Sequence, residues 1–134
     1  MTCQYILLGD GRMVQLTGWG SIGVEETEQA FRDFLADPRL QEHFGLLVDA
    51  RNASPSPSAA GVHSLAEIHS RLLGFRARRT ALVVGNTEQF GVGRMFQILA
   101  DLRGAEVAVF KDEGDALEWL ERGFEGDAGN RSGP

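Results

Sequence analysis

Gly18-Trp19-Gly20-Ser21-Ile22-Gly23 spells G-x-G-x-x-G, the pattern with which a glycine-rich turn brings backbone close to a pyrophosphate. Its neighbours oppose that chemistry. Glu25 and Glu26 follow in the first turn of a helix, where their carboxylates repel the anion the motif would hold. The preceding strand belongs to a hairpin rather than opening a strand–helix–strand unit, so these glycines are read as turn and helix-start residues, with Trp19 an exposed contact residue. Serine, histidine and aspartate all occur, but no G-x-S-x-G elbow organises a nucleophile. His43, His63 and His69 do not make a metal set. His63 and His69 would lie on different faces of a helix, and the single cysteine, Cys3, adds no ligand cluster. No nucleophile–base constellation is present, so the expectation is a protein that binds rather than catalyses, without metal or cofactor.

Residues suited to binding fall in two places. Leu46-Leu47-Val48 reads as a buried strand ending at Asp49, and the carboxyl end of a strand is where open α/β sheets form ligand crevices. The loop beyond carries Ser54, Ser56 and Ser58, separated by Pro55 and Pro57. A serine accepts an N–H at a helix N-cap and proline suits the first helical position, so Ser56 is expected to cap the next helix. Phosphorylation of one of these serines is the alternative, since a phosphate would meet a helix N-terminus. The second place is the start of the third helix, with Phe90, Gly91, Arg94 and Met95. Gly91 and Gly93 in its first turns cost about 1 kcal/mol each relative to alanine, which close packing, a hinge or an approaching ligand must offset. Arg94 is a candidate partner for Asp49 or for an anionic head group.

These residues need elements to position them. Short apolar runs alternate with helix-period segments, the pattern of an α/β domain. Tyr5–Leu8 and Met13–Thr17 form a hairpin about Gly9-Asp10-Gly11, and Val24–Leu35 makes a helix ended by Asp37-Pro38. The stripe Val62, Leu65, Ile68, Leu72, Leu73 predicts a second helix stopped by Gly74. Ala81–Val84 is a strand, a third helix starts near Asn86 and stops at Gly104, Val107–Phe110 is the last strand, and Asp112 caps a helix through Leu120. The order is β-β-α-β-α-β-α-β-α: a single α/β domain over 1–121 with a five-stranded, mixed but mostly parallel sheet and four helices. The Gly-rich polar segment 122–134 is expected to be a disordered tail.

A net charge of −6 gives no general attraction to nucleic acid. Arg71, Arg76, Arg78 and Arg79, with Phe75 among them, are the one basic cluster, a candidate contact for an anionic surface or an acidic partner. No signal-peptide or membrane-spanning pattern is seen, so the expected location is cytoplasmic.

Leu47-Val48-Asp49, Ala81-Leu82-Val83-Val84, Phe90-Gly91 with Arg94-Met95-Phe96, and Val109-Phe110 followed by Ala116-Leu117 and Trp119-Leu120 together resemble the SpoIIAA-like family from about Tyr5 to Glu121. These are small bacterial proteins whose fold is related to the STAS domains of anti-sigma factor antagonists. The resemblance implies a non-enzymatic, regulatory or ligand-binding domain and a candidate homodimer. It also implies two alternatives. One is a carrier of an apolar small molecule or lipid that touches the membrane surface, from the family's likeness to CRAL-TRIO domains. The other is a protein switch phosphorylated on a loop serine, acting through a protein partner. The antagonist's Asp-Ser-Ser-Gly-type run is absent here. A serine-to-phosphoserine switch would therefore depend on Ser54, Ser56 or Ser58.

Overall fold

The computed structural model describes the backbone of residues 2–132 and the side chains of residues 3–124. Strands β1 (Thr2–Leu8) and β2 (Met13–Gly20) pair antiparallel. Gly9, Asp10 and Gly11 between them all have positive φ, a conformation open to glycine and tolerated by aspartate. There follow α1 (Val24–Leu35), β3 (Phe44–Ala53), α2 (Ala59–Ile68), β4 (Ala77–Val83), α3 (Thr87–Asp101), β5 (Val107–Phe110) and α4 (Glu113–Ser132). The sheet runs β1-β2-β3-β4-β5, parallel from β2 onward. This is the mixed five-stranded sheet with four helices that the alternation of apolar runs predicts.

Side chains of successive strand residues point to opposite faces, so the sheet sorts its core in two. On one face Val14, Leu16, Phe44 and Leu46 pack against Phe31 and Phe34 of α1 and against Ile68 and Leu73. Phe34 is fully buried, edge-on to Tyr5 and Phe44 with ring centroids 6.0 and 5.8 Å away. Burial of one such ring contributes about 2–3 kcal/mol. On the other face Met13, Leu47, Ala81 and Val83 pack against Ala116 and Leu120 of α4.

Asn86 caps α3 by accepting from the Gln89 N–H at 2.8 Å, and Asp112 accepts from the Asp115 N–H at the start of α4. The segment expected as a disordered tail is helical in backbone as far as Ser132; its side chains from 125 and its last two residues lie outside the described residues.

The structure corrects three local expectations. Strand β3 does not end at Asp49 but runs on to Ala53, because Asn52 and Ala53 continue the ladder opposite Trp19 and Gly20 after a register irregularity. Regular α-helix does not reach Leu73: α2 stops at Ile68, and a single π-helical turn (His69–Leu73) and a 3₁₀ turn (Gly74–Arg76) complete the segment. Finally, the cap of α2 is Ser58 rather than Ser56. The Ser58 Oγ accepts from the Gly61 N–H at 3.1 Å, and Pro55 and Pro57 both precede the helix.

Ser58→Ala should therefore lower stability by about 1 kcal/mol, the usual cost of a lost cap, while Ser56→Ala leaves the cap intact. Urea denaturation of the two variants distinguishes the positions.

Candidate functional site

Between the sheet and α1, α2 and α3 lies a cavity of about 130 Å³. Its floor is formed by Leu16, Leu46, Val48, Leu82 and Val84, and its roof by Phe31, Val62, Leu65, Val92 and Phe96. Val48 and Leu82 lie in inner strands, on the face that three helices cover, yet neither is fully buried. Ser56 and Pro57 of the serine loop also line the space.

One polar pair stands in this apolar wall. His69 and Thr80, 2% and 1% exposed, are joined by a 2.8 Å hydrogen bond between Nε2 and Oγ1. The imidazole is edge-on to both Phe31 and Phe96, at centroid distances of 6.3 and 5.7 Å. Burial alone pushes its pKa down to about 4, so the ring is neutral near pH 7. The Cys3 thiol, also on the wall, is shifted up, chiefly by burial, and stays protonated.

The third element of the site is Gln89, which is buried at the start of α3. Its amide donates to the Arg51 and Ala53 carbonyls at 3.2 and 3.0 Å, and its carbonyl accepts from the Gly85 N–H at 2.7 Å. One side chain thus ties α3 to the end of β3 and to the loop after β4.

The residues singled out from the sequence are dispersed. Asp49 alternates with Val48 and Ala50, so where they line the cavity its carboxylate lies on the α4 face. There the Arg51 guanidinium binds both oxygens at 2.8 and 2.9 Å, and the Arg51 N–H adds a third bond at 3.1 Å. These bonds hold the carboxyl below the usual aspartate range. Arg51 lies 3.8 Å from Glu113, which in turn accepts from Gln15, so Asp49 belongs to a tie between β2, β3 and α4. Arg94 is exposed on α3 and is not the partner of Asp49.

On α3 the cavity is lined by Gln89, Val92, Gly93 and Phe96, a single helical stripe; Phe90, Gly91, Arg94 and Met95 fall between these positions and do not reach it. The glycine question divides accordingly. A Cβ on Gly93 would lie 3.2 Å from Val109 of β5, a tight contact that favours glycine there, whereas nothing in the structure explains Gly91. Ser54 and Ser58 are exposed and do not line the cavity.

Three arginines of the basic cluster are committed within the fold. Arg71 binds Glu28 and Glu67, Arg76 donates to the Glu42 and Gln41 carbonyls, and Arg79 binds Glu106 and the Trp119 carbonyl. Arg78 is exposed on β4, and Phe75 is 90% exposed.

Sequence reasoning missed His69, Thr80 and Gln89. His69 lies seven residues after Val62, on the stripe that Val62 and Leu65 begin, and this spacing was the available signal. Among the described residues no three His, Cys, Asp or Glu side chains gather as a metal site, and no helix is long and apolar enough to cross a membrane.

Two outcomes follow from these contacts. Gln89→Leu strands three backbone groups and should cost about 3 kcal/mol, read by urea denaturation. The unfolded chain protonates His69 near pH 6.5 and the native state only near 4, so stability is complete above the higher value and declines as pH falls through this window. The full loss is about 3 kcal/mol, and His69→Phe should flatten that part of the stability–pH curve.

No family model matches the sequence, and no curated protein matches it. Among solved structures, an uncharacterized protein of the DUF3478 family from Shewanella loihica PV-4, described as having a SpoIIAA-like fold, superposes with a TM-score of 0.61 at 19% identity. The superposition covers 89% of this chain and 92% of that one. Sheet order, helix placement and this near-complete superposition agree: the chain has the SpoIIAA-like fold.

Proposed function

We propose that this protein is a non-enzymatic, ligand-binding STAS-like module that takes a compact apolar molecule between its sheet and α1–α3. The cavity is the observation that carries this reading. Its wall is almost wholly apolar, so an apolar molecule that enters it leaves water and packs against side chains of the sheet and of all three helices.

Size selects the ligand class. The volume of about 130 Å³ is close to the roughly 150 Å³ of an apolar cavity that admits benzene, and below the roughly 300–1,000 Å³ of sites for drug-sized molecules. A single ring fits these dimensions better than a long acyl chain, which favours a small-molecule binder over a lipid carrier. The commitment of Arg71, Arg76 and Arg79 to internal partners also weakens support for docking on an anionic membrane. An antagonist-type switch has less support still, since the Ser58 hydroxyl is occupied as the cap of α2 and Ser56 lines the cavity.

Titration with benzene, followed by amide and methyl NMR shifts, should give saturable changes centred on Val48, Leu82 and Val92. Ala50→Leu adds bulk to the cavity wall and should abolish those changes without lowering the melting temperature. Shifts that persist unchanged in Ala50→Leu would place binding elsewhere and refute the reading.

A further inference from the structure

The His69–Thr80 pair has hydrogen-bonding capacity left over. A neutral imidazole offers one N–H and one acceptor nitrogen, and a hydroxyl offers one O–H and acceptor lone pairs. Their mutual bond consumes one donor and one acceptor, whichever tautomer is present. One donor hydrogen and one acceptor therefore remain, and the described contacts of the two residues include no second hydrogen bond to take them. Both side chains are at least nine-tenths buried and both line the cavity. The pair is therefore a polar point in an otherwise apolar wall, where an occupant with a hydroxyl can add a hydrogen bond.

We infer that the cavity is built for a neutral, monocyclic aromatic bearing one hydroxyl, a phenol-class ligand whose ring fills the apolar space and whose O–H pairs with one member of the His69–Thr80 pair. This deepens the ligand-binding reading above and rests on it. A phenolic hydroxyl is both a donor and an acceptor, so it can meet either the free ring nitrogen of His69 or the Thr80 hydroxyl in whichever tautomer the pair adopts. Phe31 and Phe96 flank His69 on the wall, and aromatic rings favour edge-on contact with such neighbours. An ionised ligand is disfavoured: burial keeps His69 neutral, and no lysine or arginine lines the cavity to offset the desolvation of a charge.

Phenol and toluene differ by hydroxyl against methyl at nearly constant shape, so their relative affinity isolates the polar pair. NMR titration of the wild-type protein should show phenol binding at least about tenfold tighter than toluene, equivalent to about 1.4 kcal/mol. His69→Phe keeps a ring of similar size and removes the nitrogens, and should erase or reverse the preference. Thr80→Val provides the same test if His69→Phe fails to fold, with circular dichroism reporting the fold of each. Toluene binding as tightly as phenol to the wild type, or a phenol preference that survives both substitutions, would overturn this inference and leave an apolar ligand site standing. Binding of neither probe would overturn it together with the ligand-binding reading.

Discussion

Strand β3 lies in the middle of the sheet with neighbours on both sides, and every side chain along it is assigned to one face by the two-residue period of a strand. Leu46, Val48 and Ala50 meet the layer formed by α1, α2 and α3, while Leu47, Asp49 and Arg51 meet α4. This alternation decides what can share a site. Adjacent residues in sequence become residents of separate compartments, one apolar and lining the cavity, the other closed by an aspartate–arginine pair.

The two compartments are packed to different degrees. On the α4 face, Ala116 and Leu120 settle against Leu47, Ala81 and Val83, and the polar rim is satisfied by Asp49, Arg51, Glu113 and Gln15. On the opposite face α3 is tied to the sheet at its start. Gln89 fixes its first turn to backbone at the ends of β3 and β4, and Gly93 lets it approach β5 closely. The helix is therefore anchored along one side, and the space left between Phe96, Phe31 and the inner strands is the cavity. The π-helical turn places His69 on its wall, and π-turns within helical segments frequently mark functional positions.

Much of the fold is legible in the amino-acid sequence. The hairpin about Gly9-Asp10-Gly11, the helix Val24–Leu35, the cap at Asn86 and the last strand Val107–Phe110 follow from local signals: turn glycines, acidic first turns, a side chain that accepts an N–H, and uninterrupted apolar runs. The site is legible there only in outline. The serine loop and the start of α3 do border the cavity, through Ser56, Pro57, Gln89 and Val92, but Asp49, Phe90, Gly91, Arg94 and Met95 do not. Helix phase explains the misses on α3, because an apolar stripe wide enough to include Met95 conceals which rows face the sheet and which face α2 or solvent. Strand parity explains Asp49. An apolar run buried on both sides carries no alternation from which to read the direction of the residue that follows it.

What the sequence determined by itself is the set of elements, their order and the parallel pairing that helical crossovers impose, since these depend on neighbours a few residues apart. Tertiary structure alone decided that His69, separated from Thr80 by a π-turn, a 3₁₀ turn and part of a strand, would bond to it inside an apolar wall. It also decided that Gln89 would bind carbonyls 36 and 38 residues away. Such contacts depend on how the helices dock on the sheet, and that docking is set by the combined packing of several elements rather than by any one stretch of the chain.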